Sequence, residues 1–163
     1  MTPLQALLEK LIGREGGVAD VGDGKGVTRF GQTPEWLTQF GLLSPNNKAE
    51  AIANYAVWLD KTGLLPVVAV GDQLSDILLD VAVMSGHRQA IKLLQQALLV
   101  LPVDGVLGPQ TMTALMMADR RKIAQGAIAG DMEYQGRVIT DNPARAKFAA
   151  GWANRLAAHV RNL

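Results

Sequence analysis

Apolar residues recur at helical spacing along most of the chain. Leu4, Leu7, Leu8, Leu11 and Ile12 fall at i, i+3, i+4, i+7 and i+8, one face of a helix. Thr2 suits the N-cap, Pro3 the first turn and Gly13 the stop. Thr33-Pro34-Glu35 reads as cap, first-turn Pro and first-turn acid, opening a short helix with Trp36, Leu37 and Phe40. Ser44-Pro45 opens another, with Ile52, Tyr55, Ala56 and Leu59 on one face and Trp58 beside it. GLLPVVAV, before Gly71, is apolar but broken by Pro, and reads as a buried connection or a short helix start. Leu74, Ile77, Leu78 and Val81 resume the helical pattern. Asp104-Gly105 is a turn, and Gly108-Pro109 starts a helix faced by Met112, Leu115 and Met116, a Met-rich core. Asp119 to Gly130 predicts a further helix, and Asn142-Pro143 opens the last, with Phe148, Trp152, Leu156 and Val160 at steps of four. The expected class is mainly α.

One stretch breaks the pattern. Gly13 to Gly31, GREGGVADVGDGKGVTRFG, has no periodicity and sets one Glu, two Asp and a Thr among seven glycines. Glycine costs conformational entropy, so so dense a run points to a site more than to packing. Glu15 follows a strong amphipathic helix, a rigid support, and Asp20 and Asp23 lie on the loop that returns past it. Glycoside hydrolysis uses such pairs, one carboxylic acid giving a proton to the leaving oxygen and a second group serving a water or the developing cation. Glu15 suits the acid, and Asp23 with Thr28 suits the second role. The same residues also suit a structural role, with Glu15 ending a helix, the two Asp forming Asx turns and Thr28 starting a short strand within Val27 to Gln32.

Composition narrows the chemistry. With 163 residues, 48% hydrophobic and 19% charged, the chain can bury a sizeable core. It has no Cys and only His87 and His159, which argues against disulfides, thiolate zinc, cysteine nucleophiles and a His-based triad. No cofactor and no metal is expected, and there is no phosphate loop of the GxxxxGK type. The net charge of +1 hides an asymmetry: residues 1–87 carry 6 Lys and Arg against 10 Asp and Glu, and residues 88–163 carry 10 against 5. A basic second half suits an anionic polymer, cell wall or nucleic acid. Glu9 and Lys10 interrupt the first apolar stretch, so it does not read as a signal peptide, and no apolar run reaches the roughly 20 residues of a membrane span. The expectation is a protein made in the bacterial or host cytoplasm, without stable membrane insertion, that reaches the periplasm or wall by holin- or secretion-dependent release.

REGGVADVGDGKGVTRFG resembles the N-terminal signature of the glycosyl hydrolase 108 family of muramidases, and its Glu/Asp/Thr order is more loosely similar to that of phage lysozymes. LLDVAVMSGHRQAIKLLQQAL resembles that family's second signature, and FAAGWANRL its C-terminal one, carried by Gly151, Trp152, Asn154 and Arg155. VDGVLGPQTMTAL is similar to a pattern of small helical peptidoglycan-binding modules. The resemblance implies a lysozyme-like, mainly α fold with a small β-hairpin at the site. It implies a single domain over residues 1–163, with a catalytic part over 1–70 and a peptidoglycan-binding-like helical part over 71–163. It implies an endolysin-type muramidase that cuts the β-1,4 bond between N-acetylmuramic acid and N-acetylglucosamine for host wall lysis, or one serving a secretion system. Glu15 takes the catalytic role, with Asp23 and Thr28 as its partners; Asp20, Tyr55 and Trp58 stand nearest to substrate-contact positions. The expected partner of this monomer is the peptidoglycan glycan strand.

Two other readings remain open. Val18 replaces an aromatic usual after the two glycines and Met84 an Asn of the second signature, which together with VDGVLGPQT suits a non-catalytic wall-binding module. A nucleic-acid-binding protein is disfavoured, because the basic residues are scattered and not interleaved with stacking aromatics.

Overall fold

The computed structural model describes residues 1–19 and 27–163, which divide into two compact units, Met1–Gly71 and Asp72–Leu163. The fold is mainly α with a short β element.

In the first unit, α1 (Pro3–Glu15) begins where the Thr2 hydroxyl accepts from the Gln5 amide at 3.2 Å, and it buries Leu7, Leu8, Leu11 and Ile12. The helix runs past Gly13 to Glu15 and ends at Gly16, whose φ of +77° is the left-handed geometry that favours glycine. β1 (Val18–Ala19) and β2 (Thr28–Arg29) pair antiparallel, Val18 with Arg29 and Ala19 with Thr28. After Thr33 caps α2 (Pro34–Phe40), Gly41 closes it at φ +64°. α3 (Lys48–Lys61) starts from a reciprocal cap: the Asn47 side chain accepts from Glu50 N at 2.9 Å, and the Glu50 carboxylate accepts from Asn46 N at 2.8 Å. The bond from the Asn46 amide is the main reason that the Glu50 carboxyl lies below its ordinary range.

α3 packs against α1 and buries Ala51, Tyr55, Trp58 and Leu59, while α4 (Leu65–Val68) adds Val67 and Val68. Trp36, Phe40, Tyr55 and Trp58 form an aromatic cluster with ring centroids 5.5 to 6.4 Å apart.

The second unit is built around α5 (Gln73–Ser85), buried from Leu74 through Ala82. A helix buried this continuously needs neighbours on several sides, and α6 (His87–Ala97) and α8 (Arg120–Asp141) supply them. Asp72 caps α5, its Oδ1 accepting from Ser75 N at 2.9 Å, and Arg120 donates to the same carboxylate at 2.9 Å. Burial pushes the Asp72 carboxyl up, but the bonds from Arg120 and Ser75 outweigh it and bring the carboxyl down to about 2. Arg120, at the positive end of α8, is thus matched by an acid of its own unit.

α8 passes Gly130 and continues to Asp141. A Cβ at Gly126 would stand 3.0 Å from Ala97 Cβ and one at Gly130 3.0 Å from Leu93 Cδ2, so these glycines serve close packing on α6. A 3₁₀ turn, Pro143–Phe148, leads into α9 (Ala149–Arg161), of which Leu156 and His159 are buried.

α7 (Pro109–Met117) turns Thr111 and Leu115 inward, and leaves Met116 82% and Met117 86% exposed. The expected Met-rich core is therefore absent there.

The turn before α7 hangs on one buried amide. Gln95 Nε2 donates to Asp104 Oδ1 at 2.8 Å and to Val106 O at 3.0 Å, while its Oε1 accepts from Gly105 N at 2.9 Å. Replacing Gln95 by Leu keeps the volume but leaves that amide and carbonyl unpaired, so the unfolding free energy in urea should fall by roughly 1–3 kcal/mol.

Candidate functional site

Glu15 closes α1 and is half-buried. The chain that returns to it is held at three points. Phe30 N donates to Gly17 O at 2.9 Å, the Tyr55 hydroxyl donates to Phe30 O at 3.1 Å, and Gln32 Nε2 donates to Ala51 O at 2.8 Å. Asn54 Nδ2 in turn donates to Gln32 Oε1 at 2.8 Å. Phe30 and Gly31 both adopt positive φ, +53° and +79°. Gly31 is the closest approach: a Cβ there would stand 2.8 Å from the Tyr55 hydroxyl and 3.0 Å from Glu15 Cβ and Cγ. The 30–31 turn, the acid and the tyrosine therefore share one packed corner. Burial first, and the negative charge of Glu15 second, push the Tyr55 hydroxyl well above its ordinary range, so it stays a neutral donor.

Of the residues expected at the site, Thr28 lies half-buried in β2, paired with Ala19. Asp20 and Asp23 lie outside the described residues. Tyr55 and Trp58, expected as substrate contacts, are each only 1% exposed. Their rings belong to the aromatic cluster, and Tyr55 meets the site through its hydroxyl alone. Gly31, Gln32 and Asn54 were not expected; the one signal for them is the positive-φ requirement that Phe30-Gly31 places at a strand end.

The second unit holds a group of buried polar side chains. Asp80 Oδ1 accepts from Arg155 Nη1 at 3.0 Å, and Asp80 Oδ2 lies 3.0 Å from His159 Nε2, whose Nδ1 is 3.8 Å from Asp76 Oδ2. Asp131, on α8, accepts from Gln135 Nε2 at 2.7 Å. Burial, and then the charge of Asp80, push the Asp131 carboxyl up to about 6, against the opposing pull of the Gln135 bond and of His159. Among the described residues no group of three or more His, Cys, Asp or Glu is arranged to hold a metal ion. Nor is any helix long and apolar enough to cross a membrane.

Residues 89–157 match the model of a family described as a predicted peptidoglycan domain. That segment runs from α6 to α9 and lies wholly in the second unit. Among solved structures, the chain is similar to Brucella abortus SagA, with a TM-score of 0.69 and 23% identity, over 96% of this chain and 90% of that one. The likeness is one of fold. No curated protein matches the chain.

Asp131 gives a pH test. A carboxyl raised in the folded state contributes stability below its unfolded value near 4, and that contribution is lost as pH rises through about 6. Asp131→Asn should therefore match the parent in urea unfolding at pH 4. At pH 7.5 it should be more stable, by on the order of 2 kcal/mol once partial solvent screening is allowed for.

Proposed function

We propose that this protein is a muramidase that hydrolyses the β-1,4 bond between N-acetylmuramic acid and N-acetylglucosamine in peptidoglycan, with Glu15 as the general acid. The observation that carries the proposal is the corner at Gly31. A half-buried acid ends a helix beneath a turn fixed by Tyr55 and Gln32, next to the hairpin opening. The peptidoglycan-domain match of residues 89–157 supports the wall as the partner. In the proposed step the Glu15 proton passes to the glycosidic oxygen as the bond to the anomeric carbon breaks. A water, ordered by Asp23 and Thr28, then adds to that carbon and gives up a proton to the Asp23 carboxylate, and Asp20 contacts the glycan.

The match also favours a second reading, because it covers residues 89–157 and leaves Glu15 outside. A wall-binding protein without hydrolysis would pellet with peptidoglycan yet release no reducing ends.

Glu15→Gln should lower the release of reducing ends from purified peptidoglycan by about a hundredfold or more, with the unfolding midpoint unchanged. Mass spectrometry of the parent's digest should show reducible N-acetylmuramic acid ends and intact stem peptides; cut stems on an intact glycan would make the protein an amidase or peptidase. Gly31→Ala forces a Cβ into φ +79° and against the acid. It should cost roughly 1–2 kcal/mol of stability and most of the activity.

A further inference from the structure

The second unit carries a cleft of about 490 Å³ lined by its own residues. Three helices wall it: Met84 and Ser85 at the end of α5, Tyr134 and Gln135 on α8, and Trp152 on α9, with Asn142 and Arg145 from the connection between α8 and α9. Its volume falls in the range of about 300–1,000 Å³ typical of small-ligand sites.

The chemistry of the lining is mixed. Trp152 and Tyr134 are half-buried, so they offer aromatic surface on rigid supports. Phe148 packs on Trp152, centroids 6.0 Å apart and planes at 31°, which fixes the indole. Asn142 is held by accepting from Ala144 N at 3.2 Å through its Oδ1, which leaves its NH₂ group for a ligand. Arg145 has no carboxylate within ion-pair distance among the described residues, and Asp141 is the one acid of the lining. One cation and one anion make the cleft close to neutral overall, which disfavours polyphosphates and nucleic acid. Aromatic faces with amide and hydroxyl groups suit amino sugars. An Arg beside an Asp suits a peptide that carries both a carboxylate and an ammonium group.

We propose that this cleft binds a muropeptide, an N-acetylated amino sugar with its attached zwitterionic stem peptide. Arg145 takes a stem carboxylate, Asp141 the ammonium group, and Trp152 and Tyr134 the sugar face. The proposal rests on the peptidoglycan reading and deepens it. It gives residues 89–157, which supply most of the lining, a role in choosing the stem.

The test uses full-length Glu15→Gln, so that ligand is not consumed. Its probe is a purified disaccharide–tetrapeptide, titrated calorimetrically and by the indole N–H signals in NMR. Binding should shift the Trp152 signal and leave that of the buried Trp58 in place. Arg145→Ala, at an exposed position, should weaken binding about tenfold or more without moving the unfolding midpoint, and Arg145→Lys should recover part of the loss. A di-N-acetylglucosamine probe, which lacks the stem, should bind more weakly than the muropeptide. Unchanged affinity in both Arg145→Ala and Tyr134→Ala overturns the cleft. So does a parent that cleaves peptidoglycan but shows no muropeptide binding, although that result leaves the muramidase reading standing. A parent that neither binds nor cleaves removes both. Muropeptide binding that is lost in Arg145→Ala, in a protein whose wall clearing survives Glu15→Gln, supports the cleft while removing Glu15 from the chemistry.

Discussion

The hydrogen bond from the Tyr55 hydroxyl to the Phe30 carbonyl is the constraint on which the corner around Glu15 depends. Phe30 and Gly31 occupy left-handed backbone geometry, which a chain adopts against its own preference unless something holds it there. Tyr55 can hold it because α3 packs on α1 and buries Ala51, Trp58 and Leu59, so the donor stands on a buried helix face. Its hydroxyl remains a donor because burial and the neighbouring carboxylate both disfavour its ionised form. Packing, backbone geometry and electrostatics thus meet at one oxygen.

The second unit solves a different problem. Its central helix buries Asp76 and Asp80 among Leu and Ile, and burying carboxylates is costly unless they are paired. Arg155 and His159, both on α9, meet Asp80 from one side, while Asp131 approaches from α8. The last helix is therefore fixed by polar contacts as well as by the burial of Leu156, while Val160 remains substantially exposed. Gln95 does the same for the 104–106 turn.

Much of this was legible in the sequence. The apolar face of α1 placed Glu15 at a helix end, and Thr-Pro and Asn-Pro pairs marked starts. What was missed follows from physical ambiguities. Glycine inside a helix costs only about 1 kcal/mol, so Gly13 and Gly130 looked like stops, yet α1 and α8 run through both. Periodicity names a face without fixing its edges, so Met116 was placed beside Leu115 in a core where Thr111 stands instead. Tyr55 and Trp58 had the spacing of either a cleft or a core, and their cluster with Trp36 and Phe40 makes them core. The Asp76, Asp80, Asp131 and His159 grouping is spread over three helices and leaves no local pattern.

Gly13 lies in the last turns of α1 with open space around its Cα, so the support beneath Glu15 contains a soft joint. The close approach of Gly31 to Glu15 steadies the acid from the side of the turn. Warming that loosens the 30–31 turn would let the carboxyl drift while the buried core around α1 and α3 stays intact, so the geometry around Glu15 would be lost before the protein melts.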